Sequence, residues 1–339
     1  MGGINSNMEN FLKMRNKTIL CFGAGSYFRV MYHDFKDRDP DFKVAGIIDN
    51  NVDKLGKTIK ILSDSIPVFS VDFVCQHFKP QTVVIFITTA FHQEVMEQLK
   101  RITFFQDVEI YSYYEIKKNN TEDYTALEVS LSEPVIPKKI HYCWFGGKPM
   151  PVHLQRQVES WRNFCPDYEF ICWNETNYDV YKNTYTADAY QNKRWAHLPD
   201  YVRLDVVYTH GGIYMDTDVE LLQSLDILRH NEAFWGTEVS GGINEGSGFG
   251  AVKGHFLVRE LMKVYERLQV RDPLWLTTSL GKEIGVFHKY GYINNGKFQV
   301  LNGAAIYPYQ VLAPVIKETG ECMRTPATVG IHHFEGSWW

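Results

Sequence analysis

The chain has 339 residues, of which 45% are hydrophobic, 14% aromatic and 22% charged, and its formal net charge is −5. Because ordinary domains contain about 100–200 residues, a chain of this length is expected to form two domains. The composition is typical of a globular protein and excludes a fibrous or largely disordered one. The negative net charge, without a basic cluster in the sequence, excludes nucleic acid as a partner.

The hydrophobic residues are not gathered into a membrane-spanning segment. No apolar run approaches the ~18 residues that a transmembrane helix needs, and residues 1–17 lack the apolar core of a signal peptide. We therefore expect a cytoplasmic protein without a membrane span, which still allows peripheral association with the inner membrane face. The six cysteines show no C-x-x-C spacing, so neither a disulfide nor a zinc site is predicted.

The amino-terminal part begins with a pattern of strand, glycine turn, helix and strand. Residues 17–22 predict a strand, residues 23–25 (G-A-G) predict the turn before a helix, and residues 42–49 predict a strand ending at Asp49. In dinucleotide-binding folds this order places phosphates at the helix start and a ribose hydroxyl at the acidic residue. Phe28 replaces the third glycine of G-x-G-x-x-G. We therefore predict a domain that either binds a nucleotide or sugar nucleotide or has lost that role.

The apolar pattern continues as an alternating series of strands and helices. Residues 82–88 and 108–111 predict strands, and residues 91–99 predict the helix between them. This order is typical of a parallel sheet, so we predict a small Rossmann-like domain. A polar segment with two prolines follows and predicts a linker. The predicted division is a first domain at 1–118, a linker at 119–135 and a second domain at 136–339.

The most informative segment of the second domain runs from Pro199 to Leu221. Pro199 at a first helical position, apolar residues at helical spacing and Gly211 at the carboxyl end predict a short helix. Residues 212–215 then predict a strand. The segment is therefore expected to fold as helix, glycine turn and strand.

Two aspartates, Asp216 and Asp218, follow this strand. Because strand side chains alternate, both are expected to face the same side. Two carboxylates this close repel each other and suit a hard divalent cation, Mg²⁺ or Mn²⁺, which can also bridge diphosphate oxygens. On the preceding helix, Asp200 and Arg203 are expected to be neighbours. A D-x-D triplet alone is a weak signal, since the chain has another at 37–39 in a predicted solvated loop.

The combination of motifs is more specific than any one of them. The order D-x-x-R, G-G-I-Y and D-T-D in residues 200–218 resembles the sugar-binding segment of family-32-type glycosyltransferases, including capsular polysaccharide transferases, and of the glucosylating bacterial toxins. Residues 136–147 are similar to the first strand of that fold, and residues 331–338 to its terminal H-H-x-x-G-S-W. The resemblance covers residues 136–339. It implies an α/β chain in which the Rossmann-like domain is followed by a GT-A domain, the fold of nucleotide-diphospho-sugar transferases.

This resemblance implies roles for residues that bind the donor. Trp144 would stack on the nucleotide base, and the backbone at Cys143 would hydrogen-bond it. Ser337 and Trp338 would close over the diphosphate.

The same resemblance implies the residues at the sugar and the metal. Asp200 would accept sugar hydroxyls, and Arg203 would neutralise phosphate or sugar oxygens. Asp216 would reach ribose and sugar hydroxyls with an indirect metal contact, while Asp218 would bind the metal directly. A terminal histidine would complete the metal site, and since neighbours on a strand face opposite sides, only one can do so. Similarity to an H-F-x-G motif favours His333, with His332 as the second choice.

The expected function is that of a metal-dependent, retaining glycosyltransferase. It would move a hexose or N-acetylhexosamine from a nucleoside-diphosphate sugar, with UDP favoured, to a glycan or lipid-linked glycan acceptor in capsule or surface polysaccharide synthesis. One alternative is an NAD- or sugar-nucleotide-dependent oxidoreductase or epimerase centred on residues 23–25. Another is a non-catalytic module that binds sugar or calcium through Asp216 and Asp218. The glycine-rich residues 241–250 are expected to form a mobile loop near the substrates or an ordinary wide turn.

Overall fold

The computed structural model describes residues 8–89, 91–119, 124–127, 133–268, 279–316 and 320–336. Its contacts divide the chain into two units, Met1–Thr121 and Glu122–Trp339. The division falls within residues 119–135, which the sequence predicts to be a linker. None of the helices in the described ranges is long and apolar enough to cross a membrane.

The first unit is built on a six-stranded sheet. Its strands are β1 (Thr18–Phe22), β2 (Gly46–Ile48), β3 (Thr58–Ile61), β4 (Asp64–Phe69), β5 (Val83–Ile87) and β6 (Glu109–Ser112). Their order is β3-β4-β2-β1-β5-β6, and neighbours run parallel except in the antiparallel β3–β4 hairpin. Every residue of β5 is buried, as expected for a parallel strand covered on both faces. The parallel sheet predicted from the sequence is confirmed.

The α-helices that the described residues form beside this sheet are α1 (Met8–Leu12), α2 (Ser26–Arg38), α3 (Val71–His77), α4 (His92–Lys100) and α5 (Tyr113–Asn119). The predicted helices after the glycine turn and after the β5 strand are confirmed as α2 and α4. The β3–β4 hairpin was not predicted, and the strand predicted at 42–49 is confined to β2. Residues 42–45 precede that strand as irregular backbone.

The acidic residue at the end of β2 has a role inside the protein. The Asp49 carboxylate accepts a hydrogen bond of 2.8 Å from the backbone N–H of Ala24 and lies 3.0 Å from Lys54 Nζ. Phe28, in place of the third glycine, is completely buried in the first unit. Asp49 therefore holds the glycine turn itself, and the fingerprint residues serve the packing of this unit.

The second unit is built on a seven-stranded mixed sheet. Its strands are β7 (Lys139–Cys143), β8 (Glu169–Trp173), β9 (Gly212–Tyr214), β11 (Ala233–Thr237), β12 (Ile243–Ala251), β13 (Gln299–Leu301) and β14 (Ala304–Tyr307). Their order is β13-β14-β11-β12-β9-β7-β8. β9 runs parallel to β7 and antiparallel to β12, so it lies near the centre of the sheet. The predicted α/β fold class is confirmed.

Two further strands, β10 (Val219–Leu221) and β15 (Gly330–His332), form an antiparallel pair beside this sheet. The helices of the second unit are α6 (Val152–Phe164), α7 (Thr184–Gln191), α8 (Leu198–His210), α9 (Phe256–Arg267), α10 (Ser279–Lys289) and α11 (Tyr309–Leu312). Trp161 of α6 is completely buried in the core and donates from Nε1 to the carbonyl of Val219, 2.7 Å away. This hydrogen bond joins α6 to β10, and the β10–β15 pairing brings the carboxyl-terminal strand next to the turn that carries the two aspartates.

The glycine-rich segment 241–250 differs from both sequence expectations. Most of it forms β12, a buried strand at the centre of the sheet, rather than a mobile loop or a wide turn. A Cβ at Gly250 would lie 2.6 Å from the Phe234 ring and 2.9 Å from Ile213. Glycine is required here because neighbouring strands pack tightly against the backbone, a tertiary cause that local composition does not reveal.

Candidate functional site

The site begins with the helix and the strand that the sequence predicted. Pro199 lies in the first turn of α8, and Gly211 caps the helix with φ of +66°, followed by Gly212 at +113°. A Cβ at Gly212 would lie 2.9 Å from the carbonyl oxygen of Lys139. The two glycines let the chain reverse closely against β7, and β9 then carries it toward the aspartates.

A buried histidine holds this reversal in place. His141 of β7 receives a hydrogen bond at Nδ1 from Trp173 Nε1, 3.1 Å away, and donates from Nε2 to the carbonyl of Gly211, 2.9 Å away. Burial is the main cause that lowers the pKa of His141 to about 4. The imidazole is therefore neutral at physiological pH and links β7, β8 and the glycine turn.

The two aspartates lie in the turn between β9 and β10. β9 ends at Tyr214, so Asp216 and Asp218 follow the strand instead of alternating along its end as predicted. The turn is closed by a backbone hydrogen bond of 3.1 Å from Val219 to the carbonyl of Asp216. Thr217 between them is buried. The two carboxylates still reach a common site, because the turn brings them together.

Asp216 is held by a cation and a phenol. Arg203 Nη2 lies 3.2 Å from Oδ1 and 3.4 Å from Oδ2 of Asp216, and the Tyr214 hydroxyl donates to Oδ1 over 2.8 Å. A Cβ at Gly246 of β12 would overlap Oδ2. The glycine in the central strand therefore makes the room that this carboxylate occupies, and Arg203 fixes its orientation.

Asp218 faces the carboxyl-terminal strand. His332 Nε2 lies 3.3 Å from its Oδ1, and the backbone N–H of Glu335 donates to its Oδ2 over 3.0 Å. Burial acts to raise the pKa of Asp218, but His332 and the Glu335 amide outweigh it and lower the pKa to about 2. For His332, burial acts to lower the pKa and the Asp218 carboxylate reverses the effect, so the pKa is raised. Each of these two buried groups therefore favours the charged form of the other.

The geometry reverses the preference between the terminal histidines. His333 Nε2 lies 3.0 Å from Glu220 Oε2, outside the aspartate cluster, whereas His332 points to Asp218. The cause is the β10–β15 pairing, which sets His332 opposite Val219. The choice of His333 as the candidate ligand is therefore corrected to His332.

These side chains fit a divalent cation. Asp216, Asp218 and His332 each offer one ligand atom, and the three atoms lie within 4.8 Å of one another. Two carboxylate oxygens and an imidazole nitrogen form a donor set that suits Mn²⁺ and is compatible with Mg²⁺. Since Arg203 already engages both oxygens of Asp216, Asp218 and His332 are the better candidates for direct ligands, and His332 would have to lose its proton first.

Asp200 lies beneath this cluster in a buried ionic network. Its Oδ2 is 3.1 Å from both the Tyr185 hydroxyl and Lys282 Nζ, and its Oδ1 is 3.7 Å from Arg203 Nη2. Burial acts to raise the pKa of Asp200, but Lys282, His197 and Arg203 outweigh it and hold the pKa below its usual range. Tyr185 and Lys282 were not predicted, because they come from distant helices without a local motif.

A second buried pair lies nearby. Glu245 of β12 and Glu283 of α10 are both fully buried, and the Tyr265 hydroxyl donates to Glu283. Burial and the neighbouring Glu245 raise the pKa of Glu283 well above its ordinary value. Glu283 therefore keeps its proton to a higher pH than an exposed glutamate, and the protonated carboxyl can donate to Glu245, whose oxygens have no other hydrogen-bond partner among the described residues.

This pair predicts a pH-dependent stability. Between the ordinary and the raised pKa of Glu283, the unfolded chain loses a proton that the folded chain keeps, so stability falls as pH rises. Glu283→Gln removes that titration while keeping a neutral hydrogen-bonding group. Its unfolding free energy relative to the wild type should rise with pH above about 4.5, by up to about 1.4 kcal/mol per pH unit.

Urea denaturation between pH 5 and 8 measures this difference, with the exposed Glu159→Gln as the control that should show none. A Glu283→Gln difference that is constant across the range would contradict the raised pKa of Glu283.

The residues expected to bind the base occupy the end of β7. Cys143 is the last residue of the strand and is buried, and burial raises the pKa of its thiol. Trp144 is partly exposed, and its Nε1 donates to the carbonyl of Lys148 over 2.6 Å. Trp195, which was not predicted, packs against Gly146, where a Cβ would lie 3.1 Å from its ring. Ser337 and Trp338, expected at the diphosphate, lie outside the described residues.

Comparison with known families agrees with this part of the fold. Residues 151–235 match the family model described as a glycosyltransferase sugar-binding region containing a DXD motif. The match includes Asp200, Arg203, Asp216 and Asp218. This segment is therefore similar to the DXD-containing sugar-binding region of glycosyltransferases, and the resemblance predicted from the sequence is confirmed.

Individual yeast proteins are similar to part of the chain. Inositol phosphoceramide mannosyltransferase 3 of Schizosaccharomyces pombe is 31% identical over 137 residues, which cover 38% of this chain and 36% of the relative. Mannosyl phosphorylinositol ceramide synthase SUR1 of Saccharomyces cerevisiae is 29% identical over 104 residues, which cover 30% of this chain and 27% of the relative. The matches thus span 36% or less of the length of these relatives.

Two solved structures share low similarity with the chain. PaToxG glycosyltransferase has 12% sequence identity and a TM-score of 0.38, covering 58% of this chain and 77% of that protein. A glycosyltransferase involved in glycosylation of the major capsid of PBCV-1 has 11% identity and a TM-score of 0.35, covering 58% of this chain and 94% of that protein.

Proposed function

We propose that the protein is a metal-dependent glycosyltransferase that takes a hexose from a nucleoside-diphosphate sugar. The observation that carries the proposal is the convergence of Asp216, Asp218 and His332 at one site, within 4.8 Å of one another. It supports a cation site in the segment that matches a sugar-binding region. A glycosidase would need two carboxylates separated across the scissile bond, whereas Asp216 is engaged by Arg203 and Asp218 by His332.

Each side chain of the site has its own proposed role. Asp218 and His332 would hold Mn²⁺ or Mg²⁺, and the bound cation would stabilise the negative charge of the departing nucleoside diphosphate. Arg203 orients Asp216 and presents its positive charge to the same place. Asp200 would accept a hydrogen bond from a hydroxyl of the transferred sugar. We propose retention of anomeric configuration, in line with the family that the sequence resembles.

We propose that the acceptor is a glycan or a lipid-linked glycan, reached from the cytoplasmic side. The names of the relatives favour mannose as the transferred sugar, while the sequence resemblance favours UDP as the nucleotide. A donor panel should therefore contain uridine and guanosine diphosphate sugars, mannose among them. Release of nucleoside diphosphate with and without Mn²⁺ tests the proposal. We expect at least one donor to release its nucleoside diphosphate only when the metal is present. The same rate of release before and after chelation of the metal would contradict the proposal.

Trp144→Ala tests the position of the base. Removing the indole should weaken binding of the nucleoside diphosphate by about 1–3 kcal/mol, the range for an aromatic side chain stacked on a base. Titration calorimetry in the presence of Mn²⁺ measures the change, with Trp235→Phe as a core control that should leave the affinity unaltered, because the Trp235 Nε1 has no hydrogen-bond partner among the described residues. Unchanged affinity of Trp144→Ala would return Trp144 to a purely structural role.

A further inference from the structure

Lys282 of α10 is a cation buried without access to water. Its side chain is 0% exposed, and its Nζ lies 3.1 Å from Asp200 Oδ2 and 2.9 Å from the Tyr185 hydroxyl. Burying an ammonium group is costly unless partners compensate for its lost hydration. The partner here is a residue in the sugar-binding segment, 82 positions away in the sequence. The tertiary fold therefore directs a buried charge at one particular carboxylate oxygen.

Aromatic rings hold this ammonium group on two sides. Lys282 Nζ lies 5.1 Å from the centre of the Tyr185 ring and 5.4 Å from that of Tyr265, and the two rings pack edge to face with centres 4.9 Å apart. Cation–π contacts of this kind restrict the position of an ammonium group. Lys282 is thus held in place before any ligand binds.

The two carboxylate oxygens of Asp200 have different contacts. Oδ2 meets both Lys282 Nζ and the Tyr185 hydroxyl at hydrogen-bonding distance, whereas Oδ1 is 3.7 Å from Arg203 Nη2, too far for a hydrogen bond. Arg203 in turn contacts Asp216 in the turn between β9 and β10. Oδ1 of Asp200 therefore lies on the side of Arg203 and of the candidate metal ligands Asp216, Asp218 and His332.

We propose that Lys282 is a positioning residue for the transferred sugar: with Tyr185 it anchors Oδ2 of Asp200, so that Oδ1 is presented to a sugar hydroxyl. The inference deepens the proposed function and rests on it. Lys282 would act through Asp200, and because its side chain is fully buried it would not touch the nucleotide itself. Its loss should therefore impair handling of the sugar and spare binding of the nucleoside diphosphate.

A double-mutant cycle tests this coupling. Lys282→Met should lower kcat/KM for the best donor by about tenfold or more, while the Kd for the nucleoside diphosphate with Mn²⁺ stays within about twofold. In the Asp200→Asn background, the same substitution should cause no further loss. Lys289→Met on the same helix is the control, since Lys289 is exposed and should leave all of these values unchanged.

The outcomes separate the inference from the function it rests on. Independent effects of Lys282→Met and Asp200→Asn, which multiply in the double variant, would overturn the inference. The inference would also be overturned if Lys282→Met weakened binding of the nucleoside diphosphate by the same factor as it lowered kcat/KM. If Lys282→Met does not fold, Tyr185→Phe enters the same cycle, because it removes one donor to Oδ2 and keeps the ring. A wild-type protein that turns over no sugar nucleotide would instead reject the proposed function.

Discussion

Asp218→Asn should reduce donor turnover by about 10²–10³-fold or more and abolish tight binding of Mn²⁺. The carboxylate is the best-placed metal ligand, because it is buried, ionised and set against His332 at 3.3 Å. The amide keeps the shape of the side chain but loses the charge that balances the cation, and loss of such electrostatic stabilisation produces effects of this size. Turnover of the donor panel and calorimetric titration with Mn²⁺ measure both effects.

The control is Asp167→Asn, which removes a carboxylate from an exposed position in the same unit and should leave both quantities unchanged. Circular dichroism shows whether the Asp218 variant is folded. A folded Asp218→Asn protein with full activity would remove Asp218 from the reaction.

Arg203→Lys should lower kcat/KM by about 10²-fold while the protein remains folded. Arg203 contacts both oxygens of Asp216 through Nη2, donates from Nε to the carbonyl of Pro199 and also faces Asp200. A single ammonium group cannot make the Nη2 and Nε contacts together. Arg203→Met should be more severe. It leaves the Asp216 carboxylate without its cation and Asp200 with Lys282 as its remaining cation, and breaking a buried ion pair in this way typically costs about 3–5 kcal/mol of stability.

Steady-state kinetics and urea denaturation of both variants measure these effects, and Arg156→Lys at an exposed site of α6 is the matched control. Normal kinetics in Arg203→Lys would show that the guanidinium group at this position is dispensable. An unaltered stability of Arg203→Met would contradict the buried network.

The elements that the sequence predicts well are those whose signal is local. The helix α8 has a proline at its start and a glycine at its end, and β5 is a continuous apolar run. The strand β12 was missed because its glycines resemble a loop. They are required by Asp216 and Phe234, which pack against the strand from elsewhere in the chain.

In the site, too, the sequence predicts the residues of a local motif and not those that come from distant parts of the chain. Asp200, Arg203, Asp216 and Asp218 follow from one continuous motif, whereas Lys282 belongs to a helix without any motif of its own. His332 and His333 are adjacent in the sequence, and alternation shows only that they face opposite sides.

Which of the two histidines meets Asp218 depends on the pairing of β10 with β15, two strands far apart in the chain. Sequence patterns therefore identified the carboxylates, while the network that orients them required the three-dimensional structure.

The central claim is that Asp218 and His332 hold the cation that binds the diphosphate of the donor. Anomalous diffraction at the manganese edge, from crystals soaked with Mn²⁺ and the nucleoside diphosphate of the best donor, tests it most directly. We expect a single strong peak in contact with Asp218, His332 and the diphosphate. A diphosphate bound without such a peak, or a peak located away from Asp218 and His332, would contradict the claim.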